Sequence, residues 1–596
     1  MQTLSAETLT PGVGILSDPA AIVDASPITT LPPELLVHLF LCCLHIPNKS
    51  FYHDENSSLL PSWTSVTAVC RYWRAVALNT PQLWSQIDVD SLMAKADELA
   101  YPTTAVIETV KLLLGRSKRV PLDVQYLKPQ TYDTMMPFDF RPILAEFGHI
   151  FSLRIGHTEK MVELFTGSNS IHAPLLSRLY ILHNGDVAAV ASFLTCLDAP
   201  SLEELTIITY ATRYDTESIN WTKSLFPSSL KRLYILYDTL LGADPSTIAS
   251  TIGHLLHLER LVLRERPQAS ALFQTLSHSP TFAEPSPLFS LPHLQELSLS
   301  GGTASCTHFI EHVRIPAAAS VALLLQPRDL RSSIFRPSLL RVLRQRLNPP
   351  RNTDNSSLPP VATLVFQSQS VDFHTLDLDG APEVPPDQPP LFSLSYNNTS
   401  RGSDSEVRAF MQQMRQIVLD VPLHNITTLV LRFLRDDEDA AADWIALLGT
   451  ICNVTTLVLH HDPFSHPTGW SEDAMVSLLR LHTTTTGSDT ALSAPGPPLN
   501  LPNLKHIFLS NIDLTESILV SGSGSALGSV QAEIVDGLEC VLRERKDAGC
   551  MVKVLALKEC GNVDGDMVQR LGSCVLCMEW DGYIGPTVEI SYSDTE

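Results

Sequence analysis

Residues 28–87 set the architecture: ITTLPPELLVHLFLCCL at 28–44, a polar stretch, then PSWTSVTAVCRYWRAVALNTPQLWSQI at 61–87. Proline at a helix start removes no hydrogen bond the helix needs, because the first N–H groups have no intrahelical partner. Leu31-Pro32-Pro33-Glu34 therefore predicts a helix over Pro33–Leu44. Within Glu34–Leu44 only Glu34 and His38 are polar. A helix that is apolar nearly all round must be covered on nearly all sides. A module of about 60 residues has little material to do so. Downstream, Val66, Val69, Cys70, Trp73, Val76 and Ala77 recur at i, i+3, i+4, i+7, i+10 and i+11. That is one apolar stripe with Thr67, Arg71 and Arg74 off it, and it predicts a second helix. The helix stops at Asn79-Thr80-Pro81, and Leu83-Trp84 returns to the core. The inference is a small helical module with apolar surface left over, which suits docking.

Three pieces, LPPELLVHLF (Leu31–Phe40), VCRYWR (Val69–Arg74) and PQLW (Pro81–Trp84), resemble the F-box in order and spacing. The order and spacing look like the form common in large fungal F-box families. One departure is the long connection over residues 45–65. The resemblance implies a substrate-receptor subunit of an SCF-type cullin–RING ubiquitin ligase. In that family the F-box docks on a small Skp-type adaptor, and through it on a cullin, while the rest of the chain presents a target protein. Adaptor contacts implied by the resemblance come from Leu31, Pro32, Pro33, Leu35, Leu36, Leu39, Phe40, Val69, Cys70 and Trp73. Some of these serve as internal core instead; an all-apolar helix does not say which face is which.

Composition bounds the alternatives. The chain has 596 residues, 44% of them hydrophobic, and a net charge of −23. No long stretch is strongly basic, which argues against nucleic acid or an anionic membrane as the main partner. The acidic total suggests a basic patch on the target. No apolar run of about 20 residues exists, so no transmembrane helix is expected. The first residues, MQTLSAETLTPGVG, show neither the basic nor the apolar region of a secretory signal. The 11 cysteines are scattered, as free thiols in a reducing compartment would be. These features predict a cytoplasmic or nuclear protein.

From residue 150 a repeat appears, apolar-x-x-apolar-x-apolar, ending in strand periodicity. Early copies are Ile150/Leu153/Ile155, Leu176/Leu179/Ile181, Leu202/Leu205/Ile207, Leu230/Leu233/Ile235, Leu258/Leu261/Leu263 and Leu294/Leu297/Leu299. Their starts, 150, 176, 202, 230, 258 and 294, lie 26, 26, 28, 28 and 36 residues apart. Later copies are Ile426/Leu429/Leu431, Val454/Leu457/Leu459, Leu504/Ile507/Leu509 and Val552/Leu555/Leu557. Helical patterns fill the gaps, at 186–197, 245–257, 406–420, 471–481 and 529–543. The pattern resembles a degenerate leucine-rich repeat, whose period is roughly 20–29. The family places Asn or Cys three residues after the last strand position, and only Asn184 and Cys560 fall there.

The expected fold is α+β: an N-terminal all-helical F-box followed by an irregular leucine-rich-repeat-like α/β solenoid. The expected segments are a flexible tail (1–26), the F-box (27–90), a helical and strand connector (91–149), the solenoid (150–580) and a C-terminal tail (581–596). Loop insertions fall near 345–360, 380–392 and 483–502, and short strands at 361–366, 373–378 and 391–396 extend the sheet. Candidate target contacts project between the core positions: Tyr180, Tyr234 and His506.

Chemical motifs are weak. Cys574-Val-Leu-Cys577 has no second pair to complete a zinc site and reads as core. His460, His461 and His466 follow a strand with nothing to orient the rings. The glycine-rich 522–528 lacks a phosphate-loop lysine, and acidic 436–439 suits a solvated helix start. Arg116-Ser-Lys-Arg119 reads as a solvated basic turn. No catalytic signature, metal site or cofactor motif is present, so a non-catalytic receptor is expected. The alternative is a repeat scaffold that binds a partner without ubiquitin transfer.

Overall fold

The computed structural model describes residues 31–44, 62–127, 139–156, 171–183, 187–209, 225–237, 245–265, 289–301, 303–325, 363–367, 370–374, 392–396, 426–432, 451–460, 501–512 and 532–583, with a few short pieces between them. The chain divides into two units, Met1–Leu153 and Arg154–Glu596.

In the first unit, α1 (Pro33–Leu44) starts as the prolines dictate: Leu35 N–H and Leu36 N–H donate to the Pro32 carbonyl at 3.1 and 3.2 Å. The single helix expected over Val66–Ala77 is two elements. Ser62–Ala68 is a 3₁₀ segment, and α2 (Arg71–Leu78) begins afresh after Cys70. The reason is local. Thr64, Val66, Thr67 and Val69 are β-branched and crowd a helix. The Thr67 hydroxyl also donates to the Thr64 carbonyl at 2.7 Å, a bond that competes with helix continuation. Cys70 then takes an extended backbone, and its sulfur caps Trp73 N–H at 3.4 Å. At the other end, Asn79 and Thr80 side chains donate to the Ala75 and Val76 carbonyls, and Pro81 stops the helix.

The turn Pro81–Trp84 buries Leu83 and Trp84. Then β1 (Gln86–Asp88) pairs in parallel with β2 (Leu122–Tyr126), Ile87 opposite Val124. Between them lie α3 (Val89–Glu98), capped by Asp88, and α4 (Thr103–Ser117). In α4, Val106, Val110, Leu113 and Leu114 form the buried stripe. The basic turn is not wholly solvated: Arg116 lies over the Trp84 ring at 4.7 Å, while Lys118 and Arg119 are exposed. A short α5 (Arg141–Leu144) follows, and β3 (Ile150–Gly156) runs from the end of this unit into the next.

The second unit is a ladder of short strands. Parallel, in-register pairs join β4 (Arg178–His183), β5 (Glu204–Thr209), β6 (Arg232–Tyr237), β7 (Arg260–Glu265), β8 (Glu296–Gly301) and β9 (Ser320–Leu325). The register matches the repeat phase. Leu179, Leu205, Leu233, Leu261 and Leu297 are successive partners, as are Ile181, Ile207, Ile235, Leu263 and Leu299. All are buried, each contributing roughly 1.5–3 kcal/mol. These copies begin with the same turn, the first apolar residue donating three residues back: Leu176 to Ala173, Leu202 to Ala199, Leu230 to Pro227, Leu258 to Leu255 and Leu294 to Leu291.

The middle departs from a simple advance. The strands are β10 (Thr363–Gln367), β11 (Ser370–His374) and β12 (Phe392–Tyr396). Here β12 joins β9, β11 runs antiparallel between β12 and β10, and β10 joins β13 (Thr428–Arg432). A tight hairpin thus replaces the expected second strand at 373–378. Parallel stacking resumes through β14 (Thr456–His460), β15 (His506–Ser510), β16 (Val554–Lys558) and β17 (Cys577–Trp580). Helices return between strands: α6 (Val187–Cys196), α7 (Pro245–Ile252), α8 (Thr303–His312), α9 (Ile534–Asp547) and α10 (Gly565–Gly572). Of these, α7 packs on α8 and α9 on α10. The helical patterns at 471–481 and most of 406–420, with the loops near 345–360, 380–392 and 483–500, lie outside the described residues.

Candidate functional site

The structure resolves the two faces of α1. Leu36 and Phe40, four residues apart on one side, are 0% and 1% exposed. Phe40 meets Trp73 edge to face at 5.3 Å. On the other side Leu35 and Leu39 are 52% and 49% exposed, and Cys42 continues that stripe. Exposed aliphatic residues repeated along one helix side are what a docking face requires. The start of the helix is held by Tyr72, whose hydroxyl donates to the Leu31 carbonyl at 2.9 Å.

The ten residues proposed from the sequence therefore separate. Leu36 and Phe40 are internal core and shape the face from behind. Pro32, Pro33, Leu35, Leu39 and Val69 are exposed, Val69 at the break before α2. Leu31, Cys70 and Trp73 are half-buried; Cys70 caps α2 and Trp73 backs Phe40. Two contributors escaped the sequence reading. Trp63, placed in the polar connection, is buried and meets Trp84 at 4.8 Å. Tyr72 lay off the apolar stripe.

A second surface is the side of the ladder opposite the buried leucines. Tyr180, Thr206, Tyr234 and Val262 align there across β4–β7. Tyr180 and Tyr234 are half-exposed, and the Arg260 guanidinium lies over the Tyr234 ring at 5.3 Å. Burial opposes the charge of Arg260, but hydrogen bonding to Glu296 more than restores it and raises its pKa. His506 is half-buried, with Nδ1 3.4 Å from the Thr456 hydroxyl. Its surroundings differ from those of the tyrosines. On the same side of β13–β15, Val430, Val458 and Phe508 form a buried cluster with Ala556 packed on it.

The remaining motifs contribute little. Cys574 is buried, but Cys577 is exposed on β17, so only one of the pair is core. Among the described residues no group of three His, Cys, Asp or Glu side chains could hold a metal ion. His461, His466, Asn184, 436–439 and 522–528 lie outside the described residues. No helix among the described residues is long and apolar enough to cross a membrane.

Comparison with known families identifies the domain that carries the first surface. Residues 28–90 match the model of the F-box-like family. The chain carries an F-box-like domain. It covers α1, the 3₁₀ segment, α2, the Pro81–Trp84 turn and β1, ending as α3 begins. No curated protein matches the chain.

Proposed function

We propose that the protein is a substrate-recognition subunit of an SCF-type cullin–RING ubiquitin ligase. The F-box-like domain docks on a Skp-type adaptor, which links it to a cullin, and the second unit holds a target protein. The observation that carries this reading is the exposure of Leu35 and Leu39 on a helix whose other side, Leu36 and Phe40, is fully packed. The protein performs no chemistry of its own; it raises the local concentration of target lysines near the ubiquitin-loaded enzyme. It works in the cytoplasm or nucleus.

We also read the chain as a fungal-type F-box protein whose second unit is a degenerate leucine-rich-repeat solenoid. The in-phase register and the repeated lead-in turn support this. So does Cys560, at the repeat's Asn/Cys position, which donates to the Leu509 carbonyl of the neighbouring strand at 3.4 Å. Each unit of such an array buries its apolar faces against its neighbours.

The test is capture of purified Skp-type adaptor by the full chain. Leu35→Asp with Leu39→Asp should abolish capture while leaving the circular dichroism spectrum unchanged. Retention of the adaptor by this variant, or failure of the wild type to capture it, ends the ligase reading and leaves a binding scaffold.

A further inference from the structure

The whole chain is acidic, at −23, yet one stretch of its strand surface is not. Arg178, Arg232, Arg260 and Arg264 are all exposed on the outer side of β4, β6 and β7. Two carboxylates share that side. Glu296 holds Arg260 at 2.6 Å, and Glu204 reaches Arg232 at 3.6 Å. At the strand starts, Lys231 and Glu203 pair at 2.8 Å, with Glu259 nearby. Arg264, at the opposite end of β7, has no carboxylate partner among the described residues. Leu182, Ile208 and Leu236 align with Arg264 in one row and are half-exposed. The end of these strands therefore presents an apolar strip finished by a cation unpaired among the described residues.

Several positions further along that side are closed. Ser298, Ser300, Ser320, Asp372, Thr428 and Thr456 on that side are all at most 9% exposed. Side chains are exposed again at Lys558, Cys577 and Glu579, but the arginines cluster over β4–β7. Screening confines the field of an exposed charge to roughly 8–10 Å. The local arginines, not the total charge, therefore decide what binds here.

We propose that β4–β7 take an extended acidic segment of the target protein. Asp and Glu carboxylates sit against Arg264 and Arg232, and an apolar side chain lies on Leu182, Ile208 and Leu236. A guanidinium engages a carboxylate with two parallel hydrogen bonds, which fixes orientation as well as charge. The apolar row supplies contact area, and the arginines supply selectivity. This reverses the basic target patch inferred from the overall charge. It rests on the reading of the second unit as the target-holding part.

The experiment uses the full chain and short fluorescein-labelled synthetic peptides in anisotropy titrations. One peptide combines Asp, Glu and Leu; a second replaces the acids by Asn and Gln; a third carries phosphoserine instead. The acidic peptide should bind, the amide peptide should not, and added salt should weaken binding. Arg232→Glu with Arg264→Glu, both exposed, should cost tenfold or more in affinity while adaptor capture stays at the wild-type level. Absence of acidic-peptide binding, indifference to the double reversal, or tighter binding of the phosphoserine peptide overturns the proposal. Peptide binding by a chain that fails to capture adaptor removes the ligase reading and supports this face. Adaptor capture without peptide binding does the reverse.

Discussion

The indole of Trp63 meets that of Trp84 edge to face, centroids 4.8 Å apart, and Trp84 also carries Arg116 on its ring at 4.7 Å. One side chain thus joins the 3₁₀ segment, the closing turn and α4. Its Nε1 donates to the Ala77 carbonyl at 2.9 Å, tying the turn to α2. Trp84→Ala should cost about 3–5 kcal/mol. Trp84→Phe keeps much of the packing and removes one bond to the Ala77 carbonyl, which still accepts from Thr80 N–H at 3.3 Å, so it should cost only about 0.5–1.5 kcal/mol. Urea midpoints of the full chain, followed by circular dichroism, rank the two variants. Equal loss for both would show that the hydrogen bond, not the ring, is the joint.

Truncation on the two sides of α1 should give opposite results. Leu36 is fully buried, so Leu36→Ala leaves a cavity costing about 2–5 kcal/mol. Leu39 is 49% exposed, and Leu39→Ala should stay within about 0.5 kcal/mol. The same urea titration decides. A large loss at Leu39 would mean that its side belongs to the chain's own core rather than to a partner.

The F-box-like domain was legible because its signals are local: prolines that start a helix, a stop at Asn79-Thr80-Pro81, and tryptophans at fixed spacing. The period of the second unit was equally legible, since leucines three and five residues apart need only strand alternation. What failed were competitions that periodicity does not see. The Val66–Ala77 stripe is helical in spacing, but the Thr67 hydroxyl and Cys70 sulfur bind nearby backbone and divide it. The face of α1 was unreadable because all its sides are apolar; packing on Trp73 and the neighbouring turns directs Phe40 inward. The β10–β11 hairpin was hidden because a strand's sequence does not record which way its neighbour runs.

Gly253 ends the helical stretch that opens at Pro245, and the space beside it is filled by a ring. A Cβ there would lie 2.6 Å from Phe289 Cδ1 and 2.8 Å from its Cβ. The ring can rotate, but Phe289 Cβ is fixed by a backbone paired with Val313–Arg314, so the contact at Cβ remains. Gly253→Ala should therefore cost about 1–3 kcal/mol through overpacking. The change should be partly rescued by Phe289→Ala, so that the double variant loses less than the sum of the singles. Additive losses in thermal melts would place the strain elsewhere.

Cys560 should be the thiol that alkylation finds last. Burial pushes its pKa from the ordinary 9.0 up to about 11, and backbone hydrogen bonds at Ile512 and Lys558 offset this only in part. Only the thiolate reacts, so at pH 8 Cys560 stays protonated. Cys42, Cys452, Cys540 and Cys577 are exposed and should take iodoacetamide first, read by peptide mass spectrometry. The same shift links stability to pH. Below pH 9 the thiol is protonated in both folded and unfolded chains, and its full contribution is present. As pH rises from 9 to about 11, the unfolded thiol ionises while the folded one does not, so unfolding becomes easier. Cys560→Ser has no ionisation in this window and should flatten that part of the stability profile. Rapid labelling of Cys560 in the folded chain at pH 8 would mean that the thiol reaches solvent and does not bridge to the Leu509 strand.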